Sequence, residues 1–410
     1  MSTTLTTLAT KALDRVAGLS DVIRRAGDEA QLLRRVPQWA IDELIDAGMF
    51  RFAIPRALGG EDASSMETIE VIEAISAIDA SVGWNVMLGS EINAMAVGGM
   101  DPALATEVYV DDPRVIMCGG GGPGTKPNRA VAEPDGSYRV WGQATFISGC
   151  HNATWCFMAA PVYDGNELRL SPEGHPTVKM FFLHRSQWEI IDTWDVAGLR
   201  GSGSHDVRAE GAHVPARFAD VGLVEIPARH DNPVYRIPVP LRLAYNKAAV
   251  ALGVAKGALT EFAALASTKT PLMSTSLLRE RPVAQQRMGE ATAQYRAARA
   301  YLMEAMSEVE DELRAGAPWP SAEKTQNARL ACTYAANACM HAVDSIHNAA
   351  GTTAIRMDSP LERKLRDAHG CATHRWVAHP LFAEIGRIYL GHAPSVEFDG
   401  SNAQAPRPSK

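Results

Sequence analysis

The 410-residue sequence predicts an α+β protein in three parts: an N-terminal helical domain, a middle β-domain closed as a barrel or sandwich, and a C-terminal four-helix bundle. Three observations predict it. Helical spacing dominates up to about residue 112. Short β-rich runs separated by turns replace it up to about residue 225. Long alanine-rich helical segments return after about residue 238. A chain of this length exceeds one simple core, so domains that share interfaces are expected.

The elements follow in order. In domain 1–112, Trp39-Ala-Ile-Asp-Glu-Leu-Ile-Asp-Ala-Gly-Met-Phe50 has helical spacing with a glycine near its end, and Met66 to about Ile78 is a second amphipathic helix. In domain 113–225, Tyr138–Trp141, Trp155–Ala160 and Val178–Leu183 read as strands of an antiparallel domain. Turn clusters such as Glu133-Pro-Asp-Gly136 and Tyr163-Asp-Gly-Asn166 part them. In domain 226–395, Leu241–Ala266, Pro282–Ala315, Ala322–Gly351 and Leu361–Leu390 give the four long helices. Their alanine-rich faces imply close packing and an oligomer interface. Residues 396–410 read as a flexible tail.

Composition excludes several classes. The formal net charge is -7 and no block of like charge stands out, which argues against a nucleic-acid partner. Six cysteines, at 118, 150, 156, 332, 339 and 371, form no Cys-x-x-Cys pair, so neither a zinc ribbon nor a thioredoxin-type motif is expected. Their number and the absence of a signal-like N-terminus fit a reducing cytoplasm. No uninterrupted apolar run reaches the roughly 18 residues of a membrane span. Gly119-Gly-Gly-Gly-Pro-Gly124 satisfies G-x-G-x-x-G, but Pro123 and Pro127 do not open a helix, so it reads as a flexible loop rather than a dinucleotide fingerprint.

Three segments carry a resemblance: Trp141-Gly-Gln-Ala-Thr-Phe-Ile-Ser-Gly149; Trp194-Asp-Val-Ala-Gly-Leu-Arg-Gly-Ser-Gly-Ser-His-Asp-Val207; and Gly351-Thr-Thr-Ala-Ile355 through Arg366-Asp367. Together with Leu252-Gly-Val-Ala-Lys-Gly-Ala258 they resemble the acyl-CoA dehydrogenase superfamily over nearly the whole chain. The Phe-Ile-Ser-Gly form and Arg366-Asp-Ala-His-Gly-Cys-Ala-Thr-His374 are more similar to its two-component flavin-dependent monooxygenases. Examples are the 4-hydroxyphenylacetate and 3-HSA hydroxylases and dibenzothiophene monooxygenase. Neither glutamate base of the dehydrogenase branches is in place: His374-Arg-Trp-Val-Ala-His-Pro380 and Leu241 to Thr260 hold no carboxylate.

The resemblance implies reduced FMN or FAD and O2 as cofactors, a C4a-hydroperoxyflavin as oxidant, and an aromatic or polycyclic small-molecule substrate. A separate NAD(P)H-flavin reductase would supply the reduced flavin, and relatives imply a homotetramer. It also implies Ser148 near flavin N5, Trp194 against the isoalloxazine, and Ser202, Ser204 and Arg242 near the flavin. Arg281, with Arg279 and Gln285, would serve the phosphate or adenosine end across a subunit interface. His374 is the candidate base, since a phenol-like substrate needs a group titrating near neutrality. His369, His374 and His379, five apart, would point to different faces of a helix and make no metal site. The histidine that relatives carry past Trp84 is missing from Trp84-Asn-Val-Met-Leu-Gly-Ser-Glu91. The competing readings are an acyl-CoA dehydrogenase with an unrecognised base, which would hold oxidised FAD, and N-oxygenation of an amine or amino sugar.

Overall fold

The computed structural model describes residues 11–120, 126–172, 174–219 and 229–394. After a helical stretch over residues 11–18 come α1 (Ser20–Leu33), α2 (Gln38–Asp46), α3 (Ser65–Ile78), α4 (Ala80–Gly99) and α5 (Pro102–Tyr109). Side-chain caps set the starts of α3, α4 and α5. Ser64 and Glu67 form a reciprocal capping box at α3, and Asp101 accepts from the backbone N–H groups of Ala103 and Leu104 at α5, with Pro102 in the first turn. A single residue, Asp79, separates α3 from α4, and its carboxylate accepts from Val82 N at 3.0 Å. Every residue of α4 is buried, so the helix runs through the centre of the molecule.

The middle domain carries β1 (Met117–Gly119), β2 (Arg129–Ala132), β3 (Tyr138–Ile147), β4 (Trp155–Asp164), β5 (Glu167–Leu168), β6 (Val178–His184), β7 (Glu189–Ile191) and β8 (His205–Val214). The order is β1-β4-β2-β3-β8-β7, with β5 and β6 also paired to β4. The expected all-antiparallel arrangement is corrected here, because β1–β4 and β2–β4 are parallel pairs. The cause is the length of β4. Trp155–Pro161 pair with β6, and Trp155–Phe157 with β1. Val162–Asp164 turn instead to β2 and β5, so one strand serves two sheets and curls the domain. The tail 396–410 and residues 121–125 of the glycine-rich loop lie outside the described residues.

The C-terminal part holds α6 (Val239–Thr268), α7 (Pro282–Arg314), α8 (Ala322–Ala350), α9 (Pro360–Ala372) and α10 (Leu381–Tyr389). By length and composition α6 is apolar enough to cross a membrane, yet 67% of its apolar window is buried inside the protein, as for a core helix. The expected fourth helix, Leu361–Leu390, is two helices. Between them the chain turns: His374 N donates to Cys371 O and Val377 N to His374 O, and Pro380 then starts α10. Asn337 of α8 donates to Val377 O at 3.0 Å, satisfying a carbonyl that the break sets free. His374 therefore stands beyond the end of α9, and the helical-face argument does not apply to it.

Two contacts lock the parts together. Buried Lys364 of α9 donates to the carbonyls of Ser76, Ala77 and Ile78 at 3.2, 2.8 and 3.1 Å, capping the C-terminus of α3. The loop 194–204 lies on α9. Asp367 Oδ1 accepts from Leu199 N at 2.7 Å, and Arg366 donates to Ala197 O. Gly198 allows that approach, since a Cβ there would sit 2.0 Å from Arg366 O. A Gly198→Ala change is therefore expected to lower stability by about 1–3 kcal/mol through overpacking against backbone. The check is the denaturant midpoint at constant m-value.

Candidate functional site

The site grows from the end of β3. Phe146 has φ +59° and is 67% exposed, and its carbonyl accepts from Ser148 N at 3.1 Å. This sharp turn sends Phe146 outward and Ser148 inward. The Phe146 ring meets Trp194 edge-on at 6.0 Å between centroids, forming an open aromatic face. Ser148 is buried, and its hydroxyl accepts from Trp84 Nε1 at 3.1 Å. Ser148 Oγ lies 2.7 Å from Ser204 Oγ, which lies 2.6 Å from Ser202 Oγ. Three hydroxyls and one indole N–H thus form a continuous chain.

The loop that supplies Ser202 and Ser204 is held from three sides. Asn85 of α4 donates to Ser81 O at 2.9 Å and reaches Gly201 O at 3.4 Å. Gly201 N donates to Ser81 Oγ at 3.1 Å, and Gly149 N to Ser202 O at 3.0 Å. Trp194 is set by His205, whose Nδ1 accepts from both Thr193 N and Trp194 N at 3.2 Å. An acceptor role at Nδ1 requires that nitrogen to be unprotonated, and burial accordingly lowers the His205 pKa. A narrow cavity of about 10 Å³ opens onto Ser148 and Gly149, lined also by Phe50, Asn85, Gly89, Met117 and Asn152.

His374 meets the edge of Trp84, ring centroids 5.6 Å apart. Its Nδ1 accepts from Trp376 N at 3.4 Å, which leaves Nε2 as the protonated nitrogen of the neutral ring. Burial, with a smaller contribution from Lys247, lowers its pKa to about 3. The expectation of a ring titrating near neutrality therefore does not describe the ligand-free protein, in which His374 is neutral.

Behind His374 lies a group that sequence reasoning did not assemble. Lys247 of α6 forms a fully buried ion pair with Glu91 of α4. Desolvation pushes the Glu91 pKa up and the Lys247 pKa down. Arg242 is wholly buried, donating from Nη2 to Val234 O at 2.8 Å, and its nearest charge influences are Tyr245, Tyr235 and Glu91. Arg242 thus belongs to this second group, not to the serine chain. Arg281 is exposed at the start of α7, where Gln285 donates to Arg279 O; no hydrogen bond of the described residues joins it to the serines. The six cysteines are free and buried, and burial raises Cys150 to about 12, as packing residues require. Among the described residues no cluster of His, Cys, Asp and Glu is arranged to hold a metal ion.

The buried groups set a pH dependence. His374 at about 3 and His151 at about 4 bind protons less readily folded than unfolded, so their stability contribution is complete above roughly pH 6.5 and lost as pH falls. Asp367, raised to about 6 mainly by burial, acts oppositely: its contribution falls as pH rises from about 4 to 6. The urea midpoint is expected to drop between pH 6.5 and 4. His374→Gln should flatten that drop, and Asp367→Asn should steepen it.

Comparison with known proteins agrees with this geometry. Residues 17–99 match the family described as acyl-CoA dehydrogenase, N-terminal domain, and residues 245–379 that described as acyl-CoA dehydrogenase, C-terminal domain. Indole-3-acetate monooxygenase from Acinetobacter baumannii is 30% identical over 94% of this chain and 95% of its own length. The oxygenase component of FADH(2)-dependent resorcinol hydroxylase from Rhizobium sp. is 27% identical over 95% of this chain and 96% of its own. The crystal structure of the HsaA monooxygenase from M. tuberculosis superposes with a TM-score of 0.82 at 25% identity, covering 95% of this chain and 99% of that one. The chain belongs to the flavin-dependent monooxygenases built on the acyl-CoA dehydrogenase fold, oxidoreductases that use reduced flavin.

Proposed function

We propose that the protein is the oxygenase component of a two-component system that hydroxylates an aromatic small molecule, using reduced flavin from a separate NAD(P)H-flavin reductase. The observation that carries the reading is the hydroxyl chain Trp84–Ser148–Ser204–Ser202 beside the open Phe146–Trp194 face. A planar heteroaromatic ring with hydrogen-bonding edges fits such a surface, since one side offers flat apolar contact and the other donors and acceptors. Ser148, Ser202, Ser204, Phe146 and Trp194 would hold the flavin, with His205 fixing Trp194. Bound reduced flavin supplies the activation of O2 and the transfer of one oxygen atom.

The chain's own residues then bind, orient and keep water out. Trp84 presents its edge to His374 and its N–H to Ser148, so it joins the two polar ends of the site. His374 is neutral with its proton on Nε2, so it accepts a substrate proton only where Nδ1 gives up the long Trp376 N–H contact, and a negative charge brought near Lys247 favours its protonated form. Dehydrogenation is disfavoured, because the buried carboxylate Glu91 is engaged by Lys247 and Asn246 and is not a free base. The homotetramer is part of the same proposal. It is supported by large apolar side chains that one copy leaves open, among them Leu272, Met273, Val283 and Leu390. All six cysteines being free and buried suits a reducing cytoplasm.

The test is stopped-flow mixing of the protein and anaerobically reduced FMN or FAD with oxygenated buffer, followed in the near ultraviolet. A long-lived transient, shortened by an aromatic substrate, is expected, and the flavin giving the longer lifetime is the cofactor. Ser148→Ala should shorten the transient about tenfold or more if its hydroxyl bonds the flavin. Reoxidation without any transient, together with bleaching of bound FAD by an acyl-CoA thioester, would replace this reading with a dehydrogenase.

A further inference from the structure

Trp84 and Glu91 are seven residues apart on α4, about two helical turns, so they lie on one face roughly 10 Å apart along the axis. That face looks onto the start of α6. Glu91 pairs with Lys247 and touches Asn246, whose Nδ2 donates to Arg242 O at 3.0 Å. A path therefore runs by contact from the serine chain through Trp84 to His374, by charge alone from His374 to Lys247, and by contact on to Glu91, Asn246 and Arg242.

The charges on this path do not balance. Glu91 and Lys247 cancel each other whether or not the proton has moved between them. The Tyr235 and Tyr245 phenols, both raised by burial, are neutral. Glu310, which faces Tyr245, is paired with Arg314. Asp62, near Tyr235, and Glu67, near Glu310, do not pair with Arg242 either, so the buried Arg242 has no carboxylate partner among the described residues, and it sits in the first turns of a 30-residue helix, where the helix dipole adds positive potential. Three side chains of the cluster also have buried polar atoms without a partner: Arg242 Nε and Nη1, Glu91 Oε2 and Asn246 Oδ1. A buried guanidinium with two free donor groups is costly unless an anion meets it.

Resting on the aromatic-hydroxylation reading, we infer that Arg242, with Lys247, anchors the carboxylate of an aryl-carboxylic acid substrate, whose ring then lies along Trp84 toward Ser148 and His374. Arg242 Nη2 is taken by the Val234 and Ile237 carbonyls, so one carboxylate oxygen would meet the unpartnered Nη1 in a single charge-assisted contact. Glu91 opposes the same anion and holds Lys247 in place, so it limits how strongly the site attracts. Substrate binding brings negative charge next to Lys247, offsetting the field that disfavours a protonated His374. The anchor and the proton acceptor are thereby coupled.

The experiment is calorimetric titration of the full-length protein, flavin-free and with reduced flavin under anaerobic conditions. Matched probes are used: indole-3-acetate against indole-3-acetamide, and phenylacetate against phenylacetamide. At least one acid is expected to bind about tenfold or more tighter than its amide, the scale of a charge-assisted contact. Arg242→Gln should bring that ratio to near one. Glu91→Gln, nearly isosteric, should raise it, a change of sign that loss of folding does not produce. Equal affinity of acid and amide, no measurable binding by either acid, or a ratio that Glu91→Gln does not raise would overturn the inference. An anion preference without any oxygen-dependent flavin transient would sink the hydroxylation reading and leave the anion anchor standing.

Discussion

The site depends on the seating of the loop 194–204 against α9. Asp367 accepts from Leu199 N, Arg366 donates to Ala197 O, and Gly198 keeps the two backbones in contact. Trp194 stands at one end of that loop, and Ser202 and Ser204 at the other. The same helix ends at Ala372, two residues before His374. One anchor therefore sets the aromatic face, the hydroxyl chain and the imidazole relative to each other. Central α4 supplies the remaining reference points through Ser81, Trp84 and Asn85.

This precision costs stability. Asp367 is buried beside Asp79, which raises its pKa, and it is held by Lys364 and a backbone donor. Glu91, Lys247 and Arg242 are buried with polar atoms left over. A folding-only optimum would replace such groups with apolar ones. Their concentration along one face of α4 and the start of α6 is the pattern expected where binding, rather than folding, uses the charge.

The three-part order of the fold was legible because amphipathic helices and alternating strands leave periodic traces. α4 left none: buried on all sides, it has no polar face, so its residues show no stripe. The break after Ala372 was hidden for a different reason, because neither Cys371-Ala372 nor the Thr373-His-Arg-Trp376 that follows contains a proline or glycine to mark a stop. Ser148, Ser202 and Ser204 were legible through glycine-spaced motifs, and the structure joins them. Phe146 was passed over, although its place inside Phe-Ile-Ser-Gly was the available signal; only the positive φ shows that it turns outward. The Glu91–Lys247 pair, 156 residues apart, has no local signature, since nothing in either helix sequence names its partner.

The serine chain has an arithmetic of its own. Trp84 can only donate, so one end of the chain is fixed. Three hydroxyls carry three protons, but the two links Ser148–Ser204 and Ser204–Ser202 use two of them. One O–H is always surplus. Rotating the hydroxyls in concert moves that surplus from Ser148 to Ser202 and back without breaking a link or shifting a heavy atom. The wall of the site can therefore offer a donor or an acceptor at the same spot, and its polarity follows whatever the adjoining ring requires.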